Sequence, residues 1–275
     1  MDSYLKTKDY TVTGETFELL YDPELEMLIT SPQPEDLKKY YESESYISHT
    51  DANENFVDRI YQRVKKISLQ KKIKLVDRYS NRKKSLLDVG AGTGDFLAMA
   101  QQKGWTVSGV EPNVKAKNKA QQKGIALQQN FDELQGRQFQ VISLWHVLEH
   151  LPNLEEQISK LKDLLLEDGV LVIAVPNFKS FDAKHYQNFW AAYDVPRHLW
   201  HFSKTAIEQL FAKHGMELVN TKPMVFDAFY VSLLSEKYKT GKQNLLKAFY
   251  IGLRSNCKAW RSKEYSSQIY VLKKA

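Results

Sequence analysis

The feature that most constrains the fold of this chain is an apolar run that ends in a glycine-rich turn. Residues 86–89, which are apolar except for Asp88, lead into Gly90-Ala91-Gly92-Thr93-Gly94, and a helix-like segment containing Phe96 follows. Glycines let the backbone turn tightly, and they let a ligand approach amides at the positively polarised start of a helix. The pattern therefore predicts an α/β unit of strand, ligand-binding turn and helix.

A second element indicates a ligand that contains a ribose. The apolar run at 107–110 ends in Glu111-Pro112, seventeen residues after Gly94. A carboxylate at the end of a second strand can accept hydrogen bonds from both ribose hydroxyls, so Glu111 is predicted to clamp a ribose. The dinucleotide fingerprint would need a further glycine where the chain has Asp95. The closely spaced glycines favour the methionine portion of S-adenosylmethionine (SAM) instead.

Strand-like and helix-like runs alternate from residue 85 onward, which predicts a parallel sheet covered by helices. The predicted strands are residues 86–89, 106–110, 125–127, 140–145, 170–175, 217–220 and 268–272. One helix is predicted behind an N-cap at Asn153, with its apolar stripe reaching Leu165 and its end at Gly169. Another is predicted to start at an N-cap at Ser203 and to stop at Gly215.

Two further segments flank this alternation. Residues 1–79 are predicted to form an N-terminal appendage with short β-like runs at 10–14 and 27–32, a lid, and a lead-in helix from about 54 to 79. Residues 80–275 are predicted to form a SAM-binding domain. Its helical, aromatic-rich insertion is expected at about 225–260, before the last strand.

These motifs resemble those of the class I SAM-dependent methyltransferases over most of residues 40–275. LLDVGAGTGDFL is similar to their first motif, VSGVEPN to the second, FQVISLWHVLEHLPN to the fourth-strand motif and LLLEDGVLVIAVPN to the fifth-strand motif. YYESESYISH and AAYDVPRHLWHFS resemble an uncharacterised bacterial subgroup of the family. The resemblance implies methyl transfer from SAM on a Rossmann-like sheet that is mostly parallel, with an antiparallel last strand.

The resemblance also implies roles for residues beyond the turn. Asp88 would position the cofactor, Asn130 and Phe131 would flank the adenine, and Trp145 and His146 would lie by the methionine portion. The predicted cofactor-binding residues are Tyr46, Asp88, Gly90, Ala91, Gly92, Thr93, Gly94, Phe96, Glu111, Pro112, Asn130, Phe131, Trp145 and His146. Tyr46 is placed there as part of a lid, together with His49.

Three residues are candidates for catalysis. His146 leaves the C-terminal end of the predicted fourth strand, where such folds bind ligands, and a neutral histidine suits general-base chemistry. Its alternative role is to hydrogen-bond the cofactor. Tyr193 and His198 lie on an aromatic, charged loop of the kind that lines active-site mouths. On that loop Arg197 would either hold an anionic substrate group or pair with Asp194, and the sequence favours neither.

The segment from His146 to His150 spells H-x-x-E-H, a zinc-peptidase pattern, but it follows a strand instead of lying within a long helix. It also resembles a motif of small-RNA and quinone-precursor methyltransferases in which Glu and His ligands hold a divalent ion. His146 replaces the first carboxylate of that motif, although His198 or His201 could complete a softer-metal site. We expect Glu149 and His150 to cap and pack the helix start, and we predict no metal site.

Composition narrows the partners that we expect. The 39 Lys+Arg and 33 Asp+Glu residues give a net charge of +6, and no zinc-finger, RRM or KH pattern is present. We therefore expect a small-molecule acceptor, with room for an anionic one, and no nucleic acid. Cys257 is the single cysteine, and the longest apolar stretch is too short to cross a bilayer. These features predict a cytoplasmic protein without membrane insertion.

O-methylation of a small molecule or sugar-like metabolite is the leading expectation, while C- and N-methylation stay open. A different reading is a non-catalytic SAM-binding module that regulates or scaffolds a partner through the basic, aromatic carboxy-terminal region. Fold and motif do not determine a substrate, so the sequence leaves the acceptor, the pathway and the oligomeric state open.

Overall fold

The computed structural model of the protein describes residues 1–41, 56–80 and 84–275, so the predicted lid residues Tyr46 and His49 lie outside the described residues. The strands are β1 (Asp2–Lys8), β2 (Thr16–Asp22), β3 (Met27–Ser31), β4 (Ser85–Val89), β5 (Thr106–Val110), β6 (Phe139–Trp145), β7 (Leu165–Pro176), β8 (Trp200–His201), β9 (Met216–Pro223) and β10 (Ser267–Lys274). The α-helices are α1 (Phe56–Asp77), α2 (Asp95–Gln102), α3 (Val114–Gln122), α4 (Leu154–Asp163), α5 (Phe181–Tyr186), α6 (Lys204–Lys213), α7 (Asp227–Thr240) and α8 (Leu245–Ser262).

The central sheet has six strands in the order β5-β4-β6-β7-β10-β9. Neighbours among β5, β4, β6 and β7 pair in parallel, whereas β10 is antiparallel to both β7 and β9. The prediction of a Rossmann-like, mostly parallel sheet with an antiparallel last strand is confirmed. The carboxyl ends of β4, β5 and β6 meet at one edge, where folds of this kind bind ligands.

The central strands are buried on both faces, as expected for parallel strands covered by helices. Successive side chains of a strand point to opposite faces. In β7, Val170 and Val172 pack with the apolar cluster that contains residues of α1, α2 and α3. Leu171 and Ile173 pack with the cluster that contains residues of α4 and α6. This two-sided burial explains why β7 is a continuous apolar run.

The predicted strand at 125–127 is absent from the sheet. In its place Gln128 forms an isolated bridge with Val110: the Gln128 amide donates to Gly109 O at 2.9 Å and the Glu111 amide donates to Gln128 O at 3.0 Å. The segment then leaves the sheet edge because the Asn130 side chain caps a short 3-10 turn. Pairing with the edge strand is thus too brief to form a strand.

The helix predicted to run to Leu165 and end at Gly169 is shorter than expected. Helix α4 stops at Asp163. Strand β7 begins at Leu165, which pairs with Phe139, and the strand continues through Gly169. The apolar spacing misled the prediction because Leu165 is buried in the same cluster as the helix stripe. Asn153 precedes α4 with a φ of 52° and makes no side-chain cap hydrogen bond.

The carboxy-terminal part of the fold agrees with the predictions. Ser203 caps α6 by accepting a hydrogen bond from the Ala206 amide at 3.0 Å, and Gly215 follows the helix with a φ of +64°. The predicted insertion is helical and consists of α7 and α8. The two helices lie between β9 and β10 in the sequence, and they pack against each other.

The N-terminal appendage forms a second, antiparallel sheet in the order β1-β2-β3-β8. Strand β8 comes from the loop after β7, and its two residues pair with Leu28 and Ile29 of β3. The β-like run predicted at 10–14 is a turn, because the Asp9 carboxylate accepts backbone hydrogen bonds from Thr11 and Thr13 at 2.9 Å each. The appendage is therefore attached to the loop that carries Arg197 and the predicted catalytic residue His198.

Candidate cofactor and acceptor site

The glycine-rich turn leaves β4 with three glycines in the left-handed region. Gly90, Gly92 and Gly94 have φ values of 68°, 53° and 75°. The amides of Gly90 and Ala91 donate to Val110 O at 2.8 and 3.0 Å, which holds the turn against the end of β5. A Cβ at Gly90 would overlap the Val147 side chain, whereas one at Gly92 would meet no atom of the described residues within 4 Å. Within the described ranges, the turn thus has one face packed on the protein and one open face.

Glu111 connects this turn to the residues after β5. One carboxylate oxygen accepts from the Gly92 amide at 2.8 Å, and the other accepts from the Asn113 amide at 2.9 Å. The side chain is buried, and each oxygen keeps a second lone pair for a further donor. Its position beside the turn fits the predicted ribose contact.

The helix start after the turn is stabilised by charge. Asp95 at the first turn of α2 pairs with Lys123 at 2.6 Å and with Lys65 at 2.7 Å, and Thr93 donates a hydrogen bond to it. Burial alone would raise the pKa of Asp95, but the two ammonium groups outweigh it and lower the pKa. Asp95, which stands where a dinucleotide fingerprint has glycine, therefore holds the turn in shape.

Asp88 lies beneath the turn, away from solvent. Its carboxylate accepts a hydrogen bond from Ser143 Oγ at 2.6 Å. Burial raises the pKa of Asp88 to about 7, while Ser143 and the charge of Lys72 oppose the rise. Because Asp88 is only 3% exposed, its predicted role in positioning the cofactor would act through the strand and turn around it.

The residues predicted to flank the adenine lie beside Glu111. Asn130 is exposed and Phe131 is half-buried against the central core. Pro112 O accepts a hydrogen bond from the side chain of Gln129 at 3.2 Å, which holds this segment against the end of β5. The structure therefore brings the second-motif and third-strand candidates together at one edge.

Phe96 and Trp145 form an aromatic pair next to the turn, with ring centroids 5.6 Å apart. The Lys72 ammonium lies 4.3 Å from the centroid of the Trp145 ring, a cation–π geometry. Burial lowers the pKa of Lys72, against the charges of Asp88 and Asp227. Trp145 Nε1 is buried without a hydrogen-bond partner among the described residues. Sequence reasoning missed Lys72 because it belongs to a lysine run that resembles ordinary solvated surface.

His146 sits directly after β6 in a left-handed conformation, with a φ of 59°. Its Nε2 is 3.0 Å from Asp227 Oδ2, and its Nδ1 is 3.3 Å from Glu149 Oε1. Burial lowers the pKa of His146, but the two carboxylates outweigh it and raise the pKa to about 10. The two carboxylates therefore favour the imidazolium form, whereas the sequence predicts a neutral histidine.

A cavity of about 320 Å³ opens between α1 and the start of the insertion. Its charged lining is mostly cationic and comprises Lys71, Lys72, Lys74, Arg78, Lys222 and the single carboxylate of Asp227. Lys72 also contacts Trp145, and Asp227 also contacts His146. Two of the cavity's lining residues therefore contact the side chains at the end of β6, and the charge of the lining suits an anionic molecule.

The other two catalytic candidates lie elsewhere. His198 is 8% exposed, and its Nδ1 is 2.9 Å from Ala192 O. Tyr193 is buried in an apolar cluster, edge-on to Trp190 with ring centroids 4.9 Å apart. Neither residue lines the cavity beside His146. Their catalytic roles stay predictions from the sequence.

Arg197 follows the second of its two predicted alternatives. Its side chain is fully buried and donates to Asp194 at 2.6 Å, to Asp9 at 2.9 Å and to the Tyr40 carbonyl at 3.0 Å. These carboxylates raise the pKa of the guanidinium despite burial, and they occupy the donors that would hold a substrate anion. The arginine joins the N-terminal appendage to the core.

Glu149, His150 and His198 are the described residues that could hold a metal ion, because one ligand atom from each lies within 4.8 Å of the others. His150 Nδ1 is 3.0 Å from the carbonyl of Arg197, and His198 Nδ1 also faces a backbone carbonyl. Backbone carbonyls orient metal-binding histidines in this way. The buried Glu149 carboxylate, however, already faces the His146 imidazolium, which supplies a balancing charge without a metal.

Comparison with known proteins agrees with this geometry. Residues 60–221, more than half of the chain, match the family described as a methyltransferase domain. A Geobacillus sp. (strain WCH70) protein named as a methyltransferase is 32% identical over 127 residues, 42% of this chain and 50% of that protein. The ubiquinone biosynthesis O-methyltransferase of Actinobacillus pleuropneumoniae serotype 5b (strain L20) is 32% identical over 108 residues, 34% of this chain and 46% of that enzyme. The chain spans about half the length of these curated relatives.

The fold is also shared with solved structures. Magnesium protoporphyrin IX methyltransferase from Synechocystis PCC 6803, crystallised with bound SAH, has a TM-score of 0.57 and 16% sequence identity, covering 87% of this chain and 98% of that one. At this identity the likeness shows the fold alone, whereas the family match covers the glycine-rich turn, Glu111 and His146. With its sheet order, its turn and its matched residues, the chain belongs to the class I SAM-dependent methyltransferases.

Proposed function

We propose that the protein binds SAM at the edge formed by β4, β5 and β6 and transfers its methyl group to a small anionic acceptor in the adjoining cavity. The observation that carries this proposal is the joint geometry of Glu111 and the cationic cavity. Glu111 contacts the glycine-rich turn, and Lys72, which lines the cationic cavity, contacts Trp145, whose ring packs on Phe96.

The chain's own groups would hold the cofactor through three kinds of contact. The open face at Gly92 admits a ligand to the backbone, the spare lone pairs of Glu111 accept ribose hydroxyls, and Asn130 with Phe131 flanks the base. SAM would supply an electrophilic methyl group on a sulfonium. The unpartnered Trp145 Nε1 offers a further donor at the same edge.

The acceptor would be prepared by charge more than by a neutral base. His146 is protonated at neutral pH, so its imidazolium and the Lys72 ammonium favour the ionised form of an acceptor hydroxyl. A cation near an ionisable hydroxyl lowers that group's pKa, and the released proton passes to solvent. The protein then contributes the alignment of acceptor and methyl group, which direct displacement requires.

O-methylation is the preferred reaction within this proposal. One relative is named as an O-methyltransferase of ubiquinone biosynthesis, and an ionised hydroxyl suits the cationic cavity. The rival function, a SAM-binding module without turnover, would need the same cofactor contacts but no acceptor chamber. The chamber therefore favours the enzyme.

Calorimetric titration of SAM into wild-type protein and a Glu111→Ala variant tests the cofactor site. We expect wild-type binding, weakened at least about tenfold by the substitution, because a hydrogen bond to a charged group contributes about 1.5–3 kcal/mol. Glu167→Ala removes a carboxylate that is 88% exposed at another part of the sheet and serves as the matched control. Absence of wild-type binding in folded protein would refute the proposal.

Turnover separates the enzyme from the module. Product formation is measured with a panel of phenols, carboxylates and sugar-like hydroxyl compounds. Lys72→Met keeps the side chain's length but removes its charge, so we expect the KM for an anionic acceptor to rise about tenfold. The KM for a neutral analogue should change little. SAM binding without product across the panel would favour the module.

A further inference from the structure

Helix α8 presents most of its large apolar side chains to solvent, and apart from Ile251 its buried residues are small. The exposed apolar residues are Leu245, Leu246, Phe249, Tyr250, Leu253 and Trp260, with Leu246 86% and Trp260 74% exposed. The buried residues are Ala248, Ile251, Gly252, Ser255 and Ala259. A surface helix normally buries its large apolar residues, so this distribution is the reverse of what folding alone requires.

The buried face is small because α8 approaches α7 closely. A Cβ added at Gly252 would lie 2.9 Å from Phe229 Cα and 3.0 Å from Phe229 N. The contact between the two helices therefore depends on small residues. Phe249 stacks on Phe229 of α7, with ring centroids 5.4 Å apart, yet it remains 60% exposed. With the exposed leucines and the other aromatic residues it forms a continuous arc at helical spacing.

The charge of this region is one-sided. No acidic residue occurs between Glu236 and Glu264. The basic residues in that interval are Lys237, Lys239, Lys242, Lys247, Arg254, Lys258, Arg261 and Lys263. At 100° per residue, the four basic residues within α8 fall beside the exposed apolar arc, between it and the buried face. Lys247 pairs with Glu236, which balances its charge, while Arg254 and Lys258 lie over the Phe181 ring and keep their positive charges.

This combination identifies one kind of partner. A second copy docking through the same face in a two-fold contact would bring two basic stripes together without a compensating carboxylate. Anionic lipid headgroups would instead pair with the stripe, and the aromatic and leucine side chains would enter the boundary between headgroups and acyl chains. None of the helices in the described ranges is long and apolar enough to span a membrane.

We propose that α8 docks the protein on anionic lipid bilayers by lying in the plane of the interface. Leu246, Phe249 and Trp260 are inserted, and Arg254 and Arg261 contact headgroups. The proposal does not depend on the methyl-transfer function. It concerns a helix other than those that hold the cofactor turn.

Vesicle co-sedimentation of the full chain tests this proposal. We expect binding to vesicles of equal parts phosphatidylcholine and phosphatidylglycerol, and at least tenfold weaker binding to phosphatidylcholine alone or at high salt. A triple variant, Leu246→Ser, Phe249→Ser and Trp260→Ser, should lose binding at least tenfold. Because Phe249 also stacks on Phe229, the double variant Leu246→Ser and Trp260→Ser, which leaves that contact in place, should keep the wild-type melting temperature and should also lose binding. Val114→Ser, which changes a 62% exposed apolar residue on α3, is the matched control and should bind normally.

Three results would overturn the proposal: no binding to the mixed vesicles, equal binding to both vesicle types, or binding that survives the triple substitution. Light scattering on the lipid-free protein covers the second-copy alternative. A concentration-dependent dimer that the triple variant abolishes, together with no vesicle binding, would assign the face to self-association. The melting temperature of each variant shows whether it is folded. If the triple variant is destabilised, Leu246→Ser alone takes its place, and it should weaken vesicle binding in the same direction.

Discussion

Two groups of charged residues in this protein have similar chemistry and opposite surroundings. Arg197 with Asp9 and Asp194 is sealed: its guanidinium has no exposure, and its donors meet carboxylates and a backbone carbonyl. Lys72, His146 and Asp227 form the open group beside the cavity, where His146 is 34% and Asp227 22% exposed. A charged group surrounded on all sides by fixed partners supports the fold, whereas one that borders a cavity can still meet a ligand.

The loop after β7 belongs to the sealed group and not to the open one. Its mixture of aromatic, acidic and basic side chains resembles an active-site loop, yet the described structure uses it to attach the N-terminal sheet through β8 and Arg197. The charges that line the cavity come instead from α1 and the residue after its end, from β9 and from the start of α7. Residue types alone do not distinguish the two uses.

The largest expected effect is on the sealed group. Arg197→Met should lower the free energy of unfolding by about 3–5 kcal/mol, because it leaves the buried Asp9 carboxylate and the partly buried Asp194 carboxylate without their cation. Urea unfolding measures the change, and Arg197→Lys should fall between the variant and the wild type. Lys160→Met, which removes an exposed pair with Glu156, is the control and should cost less than about 0.5 kcal/mol. A loss for Arg197→Met as small as the control's would contradict a structural role.

The next effect separates two glycines of the turn. Gly90→Ala should destabilise the fold by about 1–3 kcal/mol, because it adds left-handed strain and overlaps Val147. Gly92→Ala carries the strain without the overlap, so it should cost less stability. It should nevertheless weaken SAM binding, because its Cβ enters the open face of the turn. Equal stability losses in the two variants, measured by thermal unfolding, would rule out the Val147 contact as the cause.

A smaller effect should come from the charge on His146. Its folded-state pKa of about 10 exceeds the unfolded value of about 6.5, so the stabilisation is complete below about pH 6.5 and is lost as pH rises through about 10. The wild type should therefore exceed His146→Gln in stability by up to about 1 kcal/mol at low pH, and the difference should shrink toward pH 10. Asp227→Asn should reduce the same pH dependence. A difference that is constant with pH would show that His146 is not charged.

The smallest expected effect is that of removing metal. Because the His146 imidazolium already balances Glu149, dialysis against a chelator should leave SAM affinity and melting temperature unchanged, and elemental analysis should find no stoichiometric metal. One equivalent of zinc that is lost in His198→Gln but kept in the control His185→Gln would contradict the metal-free prediction and assign the three-residue cluster as its site.

The part of the fold that could be predicted from the sequence is the part whose determinants are close together along the chain. The apolar strand, the left-handed glycines and the helix start span about ten residues, and Ser203 caps α6 through an amide three residues away. Six of the seven predicted strands are present, because each is marked by an apolar run within a few consecutive residues. The strand at 125–127 failed because its pairing with β5 is limited to one bridge, which periodicity does not reveal.

What only the tertiary structure decided is which charges meet. Arg197 pairs with Asp9, which lies 188 residues earlier in the chain, and His146 contacts Asp227 of the insertion. Lys72 contacts Trp145 from helix α1, although its lysine-rich sequence resembles solvated surface.

The sequence by itself determined the α/β core, the glycine-rich turn and the carboxylate at the end of β5, because their signals are local: apolar runs, closely spaced glycines and a residue that directly follows a strand. Protonation, burial and cavity lining depend on partners brought together by folding, since a charge responds to distances in space and not to separation along the chain.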